Sequence, residues 1–153
     1  MKELRVTPIC NGTVIDHISP GRALDVLRII AITGKGLSST VSVVMHVPSG
    51  GSGWKDIVKV EDRELLPGEV SKITLVAPDV TINIIRNYEV AKKYRPTAPD
   101  EVVGLVRCAN PSCITNKARE PVESKFKVLS RKPVKLRCRY CERVLTEVTP
   151  QLL

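Results

Sequence analysis

Four cysteines, Cys108, Cys113, Cys138 and Cys141, are spaced C-x4-C, then 24 residues, then C-x2-C. Two such pairs on facing turns supply the four tetrahedral thiolates that zinc prefers. Disulfides are the competing chemistry. The chain opens MKELRV with no apolar signal segment, which predicts a reducing cytoplasm and favours metal over disulfide. Cys138-Arg-Tyr-Cys141 alone would read as a redox pair, but such a motif should open a helix near a βαβ unit, and the second pair argues for metal.

The remaining polar residues suggest binding rather than catalysis. His17 and His46 are the two histidines, and no nucleophile–base pattern accompanies them. Thr33-Gly-Lys-Gly-Leu37 lacks the ending of a phosphate loop and follows a helix, so it reads as a helix C-cap. Asp16-His17 ends an apolar strand. It either caps that strand beside the next helix or offers a carboxylate to a ribose and a cation to phosphate. Lys55 and Lys59 lie four apart on a strand and point the same way, and Lys92 and Lys93 follow a later strand. Convergence of these lysines beside Asp16 would make a nucleoside triphosphate pocket.

The elements that must position these groups follow from the apolar pattern. Leu4–Ile9 reads as a strand running on towards Gly12–Ile18, after which Ser19 caps a helix beginning at Pro20. Ala23, Leu24, Leu27, Ile30 and Ala31 keep helical spacing up to Gly34-Lys-Gly36. Val41–His46 and Lys55–Glu61 alternate as strands around the turn-rich Pro48–Gly53. Pro67–Leu75 is a short helix and Val80–Ile85 a fourth strand. The fold class is therefore α+β: a βαββαβ, ferredoxin-like antiparallel sheet with two helices on one face. Tyr94–Asp100, with two prolines, reads as a linker. Beyond it, Phe126–Leu129 and Val134–Arg137 predict short strands of an antiparallel β zinc-ribbon or rubredoxin-like domain.

Charge is unevenly divided. Residues 1–100 carry 13 Lys/Arg against 11 Asp/Glu, and residues 101–153 carry 11 against 5. The second excess offsets a zinc–thiolate centre or faces an acidic partner. A zinc-ribbon nucleic-acid-binding protein is the rival reading. However, Phe126 and Tyr140 are the only aromatics there, poor equipment for stacking on bases. No apolar run approaches the ~20 residues that span a bilayer, so no membrane partner is expected.

Gly12-Thr-Val-Ile-Asp-His-Ile18, Pro48-Ser-Gly50, Lys55-Asp56, Lys59, Asn87-Tyr-Glu-Val90, Arg95-Pro96 and the cysteine quartet resemble the regulatory chain of aspartate carbamoyltransferase. The likeness covers essentially the whole chain. It implies a non-catalytic subunit of pyrimidine biosynthesis. Residues 1–96 would bind ATP or CTP as allosteric effectors, and residues 101–153 would hold one structural zinc and dock on the catalytic chain. It further implies that Val6, Pro8 and Ile9 line the base and ribose, Asp16 bonds the ribose, and His17 and Lys55 face the phosphates. Lys59 would reach the base or ribose, Asn83, Ile85, Tyr88 and Val90 border the pocket, and Lys93 contacts ribose or phosphate. Asn110 and Glu142 would lie at the catalytic-chain interface, and two regulatory chains would pair through their N-terminal domains. Two residues depart from the family pattern. Cys10 reads as a strand residue without a role, and Pro8 removes one N–H from the segment that would read the base.

Overall fold

The computed structural model describes residues 8–32, 38–51, 53–119 and 121–153. The Leu4–Thr7 part of the expected Leu4–Ile9 strand, Val6 included, and the expected helix end at Gly34–Gly36 lie outside them. The chain divides into two compact units, Met1–Pro96 and Thr97–Leu153.

The first unit runs β1 (Gly12–Ile18), α1 (Ala23–Ile32), β2 (Val41–Pro48), β3 (Trp54–Glu61), α2 (Pro67–Val76), β4 (Thr81–Arg86) and β5 (Glu89–Tyr94). The strands form one antiparallel sheet in the order β2-β3-β1-β4-β5. The first four strands are the split-βαβ arrangement expected from the apolar pattern. Pleating sends Thr13, Ile15, Val58, Val60 and Ile82 to one face, where they are buried with Val26, Ile30 and Ile73 of the two helices. Glu69 locks that layer. Its carboxylate accepts the Leu66 N–H (3.0 Å) at the start of α2 and the Arg63 guanidinium, which also reaches the Ile30 carbonyl of α1 (3.2 Å).

Four expectations need correction. Ile9 and Cys10 are not strand residues, because β1 starts at Gly12. The first helix starts at Ala23, not Pro20. Ser19-Pro-Gly-Arg22 instead makes a type II turn, with Pro20 at its second position, Gly21 at φ +87°, and the Arg22 N–H donating to the Ser19 carbonyl (3.0 Å). The helix cap comes from a distant strand: fully buried Asp56 of β3 accepts the N–H groups of Gly21 (2.9 Å) and Ala23 (3.1 Å). Leu24 is 60% exposed; Val26 and Ile29 take the inward positions instead. The fifth strand was not expected at all. Asn87 and Tyr88, both at positive φ, form a two-residue hairpin turn of type I′ geometry that returns the chain as β5.

The hairpin tip is tied down by the segment before β1. The Tyr88 N–H donates to the Cys10 carbonyl (2.8 Å) and the Asn87 N–H to Asn11 Oδ1 (3.1 Å). Cys10 therefore contributes through its carbonyl. Gly12, at φ +141°, lets β1 pass close to β3: a Cβ there would sit 2.1 Å from the Val60 carbonyl oxygen. Gly12→Ala is expected to destabilise the chain by at least about 1–3 kcal/mol, read as a lower urea midpoint; an unchanged midpoint would contradict the close packing of β1 on β3.

The second unit is a four-stranded antiparallel meander, β6 (Glu101–Val103), β7 (Lys125–Arg131), β8 (Val134–Cys138) and β9 (Val144–Leu145), in sequence order. The sequence predicted only the middle two. Its core is small: Val102, Val106, Phe126, Val128, Leu136, Leu145 and Val148.

Candidate functional site

The Cys108 and Cys113 loop precedes a 3-10 turn at Ile114–Asn116, and the second pair brackets the β8–β9 turn. Both are tight knuckles. In the second, the Cys138 N–H donates to the Arg143 carbonyl and the Glu142 N–H to the Cys138 carbonyl (both 3.0 Å), with Glu142 at φ +65°. In the first, the Cys113 N–H donates to the Asn110 carbonyl (3.0 Å) and the Ser112 N–H to Asn110 Oδ1 (3.1 Å). Asn116 Nδ2 then pins the carbonyls of Cys108 (2.8 Å) and Asn110 (2.7 Å).

The four Sγ atoms lie within 4.8 Å of one another, with Cys108–Cys141 at 3.6 Å and Cys113–Cys138 at 3.7 Å. No disulfide bonds link them. A tetrahedron with metal–sulfur bonds of ~2.3 Å has edges of about 3.8 Å, so the quartet fits one zinc ion. Burial pushes the Cys108 thiol up to about 12, against the pull of the Asn110 backbone N–H, and burial also raises Cys138. Burial acts on Cys141 in the same direction, but the Arg143 backbone N–H, the Asn110 side chain and the neighbouring thiols outweigh it and bring that group to about 7. One thiol ionises readily and buried partners resist; a divalent cation supplies the charge that lets all four coexist as thiolates.

The residues that orient these sulfurs are not marked by the cysteine spacing. Asn110 serves both knuckles, and the Thr115 hydroxyl lies 3.1 Å from Cys113 Sγ. The Asn-Pro-Ser run before Cys113 was the available signal, since Asn before Pro favours a turn closed by its own side chain.

In the first unit, strand register places most of the polar candidates on the sheet face opposite the helices. Lys59, Val14, Asn83 and Lys93 form one row across β3, β1, β4 and β5. Asp16 lies two residues beyond Val14, and its carboxylate binds Lys55 Nζ at 2.9 and 3.2 Å. It also accepts the His17 N–H (2.6 Å), and His17 Nδ1 lies 3.8 Å away. Burial lowers the Lys59 pKa, and the Asp16 charge works against that shift. Ile85 and Val90 are a register pair on the same face, and Tyr88 is exposed at the hairpin tip.

His17 sits at φ +55° in a bulge of β1, and His46 at φ +56° in the matching bulge of β2. Both bulges flank Asp56, whose second oxygen accepts the His46 N–H (2.8 Å). Asp16 therefore pairs with a lysine, and the cap of the following helix comes from Asp56. Before the sheet, Pro8 is exposed and Ile9 buried; Val6 lies outside the described residues. Asn110 lies in the first knuckle and Glu142, exposed, in the second.

Two family models match the chain: the allosteric domain of the aspartate carbamoyltransferase regulatory chain over residues 4–97, and the metal binding domain of that chain over residues 100–149. Similar proteins named aspartate carbamoyltransferase regulatory chain occur in Methanothrix thermoacetophila (56% identical over 146 residues, 95% of this chain and 94% of the relative). Another, from Thermofilum pendens, is 56% identical over 145 residues, covering 94% and 90%. A third, from Methanocaldococcus jannaschii, is 50% identical over 148 residues, covering 97% and 96%.

Proposed function

The chain belongs to the family of aspartate carbamoyltransferase regulatory chains, and from that premise we propose that it binds ATP and CTP on the open face of its first sheet. It is a non-catalytic subunit with an allosteric and a metal-binding domain, and its four cysteines fit a single structural zinc.

The observation that carries the nucleotide reading is the row Lys59–Val14–Asn83–Lys93 beside the Asp16–Lys55 pair. Three lysines, an amide and a carboxylate on one strand-built face match the groups a nucleoside triphosphate presents. Cations meet the phosphates, and Asp16 can accept from a ribose hydroxyl. In this reading His17 and Lys55 face the phosphates, Lys59 the base or ribose, and Lys93 the ribose or phosphate. Val6, Pro8 and Ile9 line the base and ribose, and Asn83, Ile85, Tyr88 and Val90 border the pocket. The strands hold these side chains on rigid backbone, which favours a defined pose over a loose ionic cloud.

The coupling to catalysis needs no chemistry from this chain. A nucleotide that binds more tightly when the assembly is in one activity state shifts the population towards that state, and the effect is reciprocal for binding. The partner in this account is the aspartate carbamoyltransferase catalytic chain, met by the zinc domain through the knuckle residues Asn110 and Glu142. A second copy of the chain pairs through the N-terminal sheet unit. Among the described residues no helix is long and apolar enough to cross a membrane. Four thiols kept reduced for metal suit the cytoplasm.

Lys93→Ala tests the site directly. Affinity for both ATP and CTP is expected to fall by about 1–3 kcal/mol in calorimetric titration, with zinc content unchanged. Wild-type affinity would remove Lys93 from the site.

A further inference from the structure

The two ends of β1 have different neighbours. One end carries the charged groups, Asp16 with Lys55 and His17 in the bulge. The other end, at Gly12, follows closely on Pro8 and Ile9 and stands in register with Ile85 of β4. Ile85 is itself paired with Val90, and the Asn87–Tyr88 turn closes that hairpin. The residues proposed to line the base and those proposed to border the pocket therefore meet at the Gly12 end. Asn11 sits at their junction.

A two-residue hairpin turn offers its own turn N–H groups no partner, and water ordinarily takes them. Here both are accepted by consecutive residues of another segment. The Asn87 N–H donates to Asn11 Oδ1 (3.1 Å) and the Tyr88 N–H to the Cys10 carbonyl (2.8 Å). The Asn11 carbonyl accepts the Asp62 N–H (2.9 Å), which fastens the same segment to the end of β3. Asn11 thus ties the turn to a fixed point.

The turn depends on that tie. Asn87 and Tyr88 hold φ of +53° and +65°, a conformation that asparagine tolerates and tyrosine disfavours. Tyr88 is 68% exposed, so burial does little to fix it. The strands below the turn have supports of their own in the register of β4 with β1 and β5 and in the Arg86–Glu64 ion pair (2.7 Å). Losing the Asn11 side chain therefore releases the tip and leaves the sheet paired.

We infer that Asn11 is a positioning residue for the nucleotide base, its side-chain oxygen holding the Tyr88 turn where the base meets Pro8 and Ile9. The inference rests on the proposed nucleotide site and adds the residue that shapes its base end. With the tether, the turn stands in its binding position before the nucleotide arrives. Without it, a fraction of molecules hold that position, and apparent affinity falls by that fraction. Phosphate contacts at the Asp16 end of β1 do not pass through the turn.

The test compares Asn11→Ala and Asn11→Asp with wild type in the full-length chain, by calorimetric titration with ATP, CTP and inorganic tripolyphosphate. Asn11→Ala is expected to lose about fivefold in affinity for ATP and CTP, the weight of one neutral hydrogen bond. Tripolyphosphate has no base to place, and its affinity should stay close to wild type. Asn11→Asp keeps an acceptor for the Asn87 N–H and should recover most of the lost nucleotide affinity. A merely structural role would weaken all three ligands together, or lower the urea midpoint with nucleotide affinity unchanged. Either result overturns the inference and leaves the nucleotide site standing. So does an Asn11→Asp chain no better than Asn11→Ala; where tripolyphosphate binds too weakly to titrate, this comparison decides. A wild-type chain that binds neither ATP nor CTP overturns both the inference and the site.

Discussion

Removing the metal, by strong chelation or by Cys113→Ala, is expected to unfold residues 97–153 while the sheet and helices of the first unit persist. Among its described residues the zinc domain has eight buried non-cysteine apolar side chains and strands of two to seven residues. A segment of this size cannot offset its conformational entropy by burial alone. Metal binding fills the gap, with apparent free energies of about 10–16 kcal/mol in small zinc domains. Cys108, Cys113 and Cys138 are nearly fully buried, so the metal-free fold would also hold crowded thiols whose ionised forms have no counter-charge. The first unit has its own core, built from Ile15, Val26, Ile30, Val58, Val60, Ile73 and Ile82. Hydrogen exchange should therefore become fast across β6–β9 and stay slow across β1–β5. The functional counterpart is loss of docking to the catalytic chain with ATP and CTP binding retained. Loss of nucleotide binding together with the metal would show that the two units do not fold independently.

A second large effect is expected at Asp56, in the first unit. Its carboxylate is fully buried and accepts three backbone N–H groups: Gly21 and Ala23 at one oxygen, His46 at the other. It thus caps α1 and shapes the β2 bulge at once. Asp56→Ala leaves three donors without their acceptor and is expected to destabilise the chain by about 3–4 kcal/mol. Asp56→Asn can keep the Gly21 and Ala23 bonds through its carbonyl oxygen but turns an amide towards the His46 N–H. Its loss should be smaller, about 1–2 kcal/mol. Urea denaturation of both variants separates the two roles, and equal losses would mean that the cap bonds to Gly21 and Ala23 contribute nothing beyond the bulge contact.

The same residue shows where sequence reading stops. Helix existence was legible from apolar spacing, but the start of α1 was not, because its cap is supplied by a residue more than 30 positions away. Ser19 and Pro20 carried a local cap signal that the following Gly21 converts into a type II turn. β5 was hidden for a related reason. Its residues, Glu-Val-Ala-Lys-Lys-Tyr, lack an alternating apolar pattern, since it is an edge strand with little burial, and its turn is Asn-Tyr rather than Asn-Gly.

The metal quartet was readable because cysteine spacing alone constrains it. Its supporting shell was not, as Asn110, Thr115 and Asn116 act through hydrogen bonds that spacing does not encode. On the sheet, the sequence showed that Lys55 and Lys59 share a side. Only strand register could set Lys59, Asn83 and Lys93 in one row and bring Asp16 onto Lys55.

In the regulatory reading proposed above, this chain makes a catalytic partner responsive to nucleotides. The most direct measurement is carbamoyl transfer by the catalytic chain at subsaturating aspartate, with and without this chain, as ATP or CTP is added. The catalytic chain alone is expected to ignore both nucleotides, and adding the zinc-loaded chain is expected to make its rate depend on them. Lys93→Ala should shift that dependence to higher nucleotide concentration. A rate that stays indifferent to ATP and CTP after the two chains have demonstrably assembled would contradict the account.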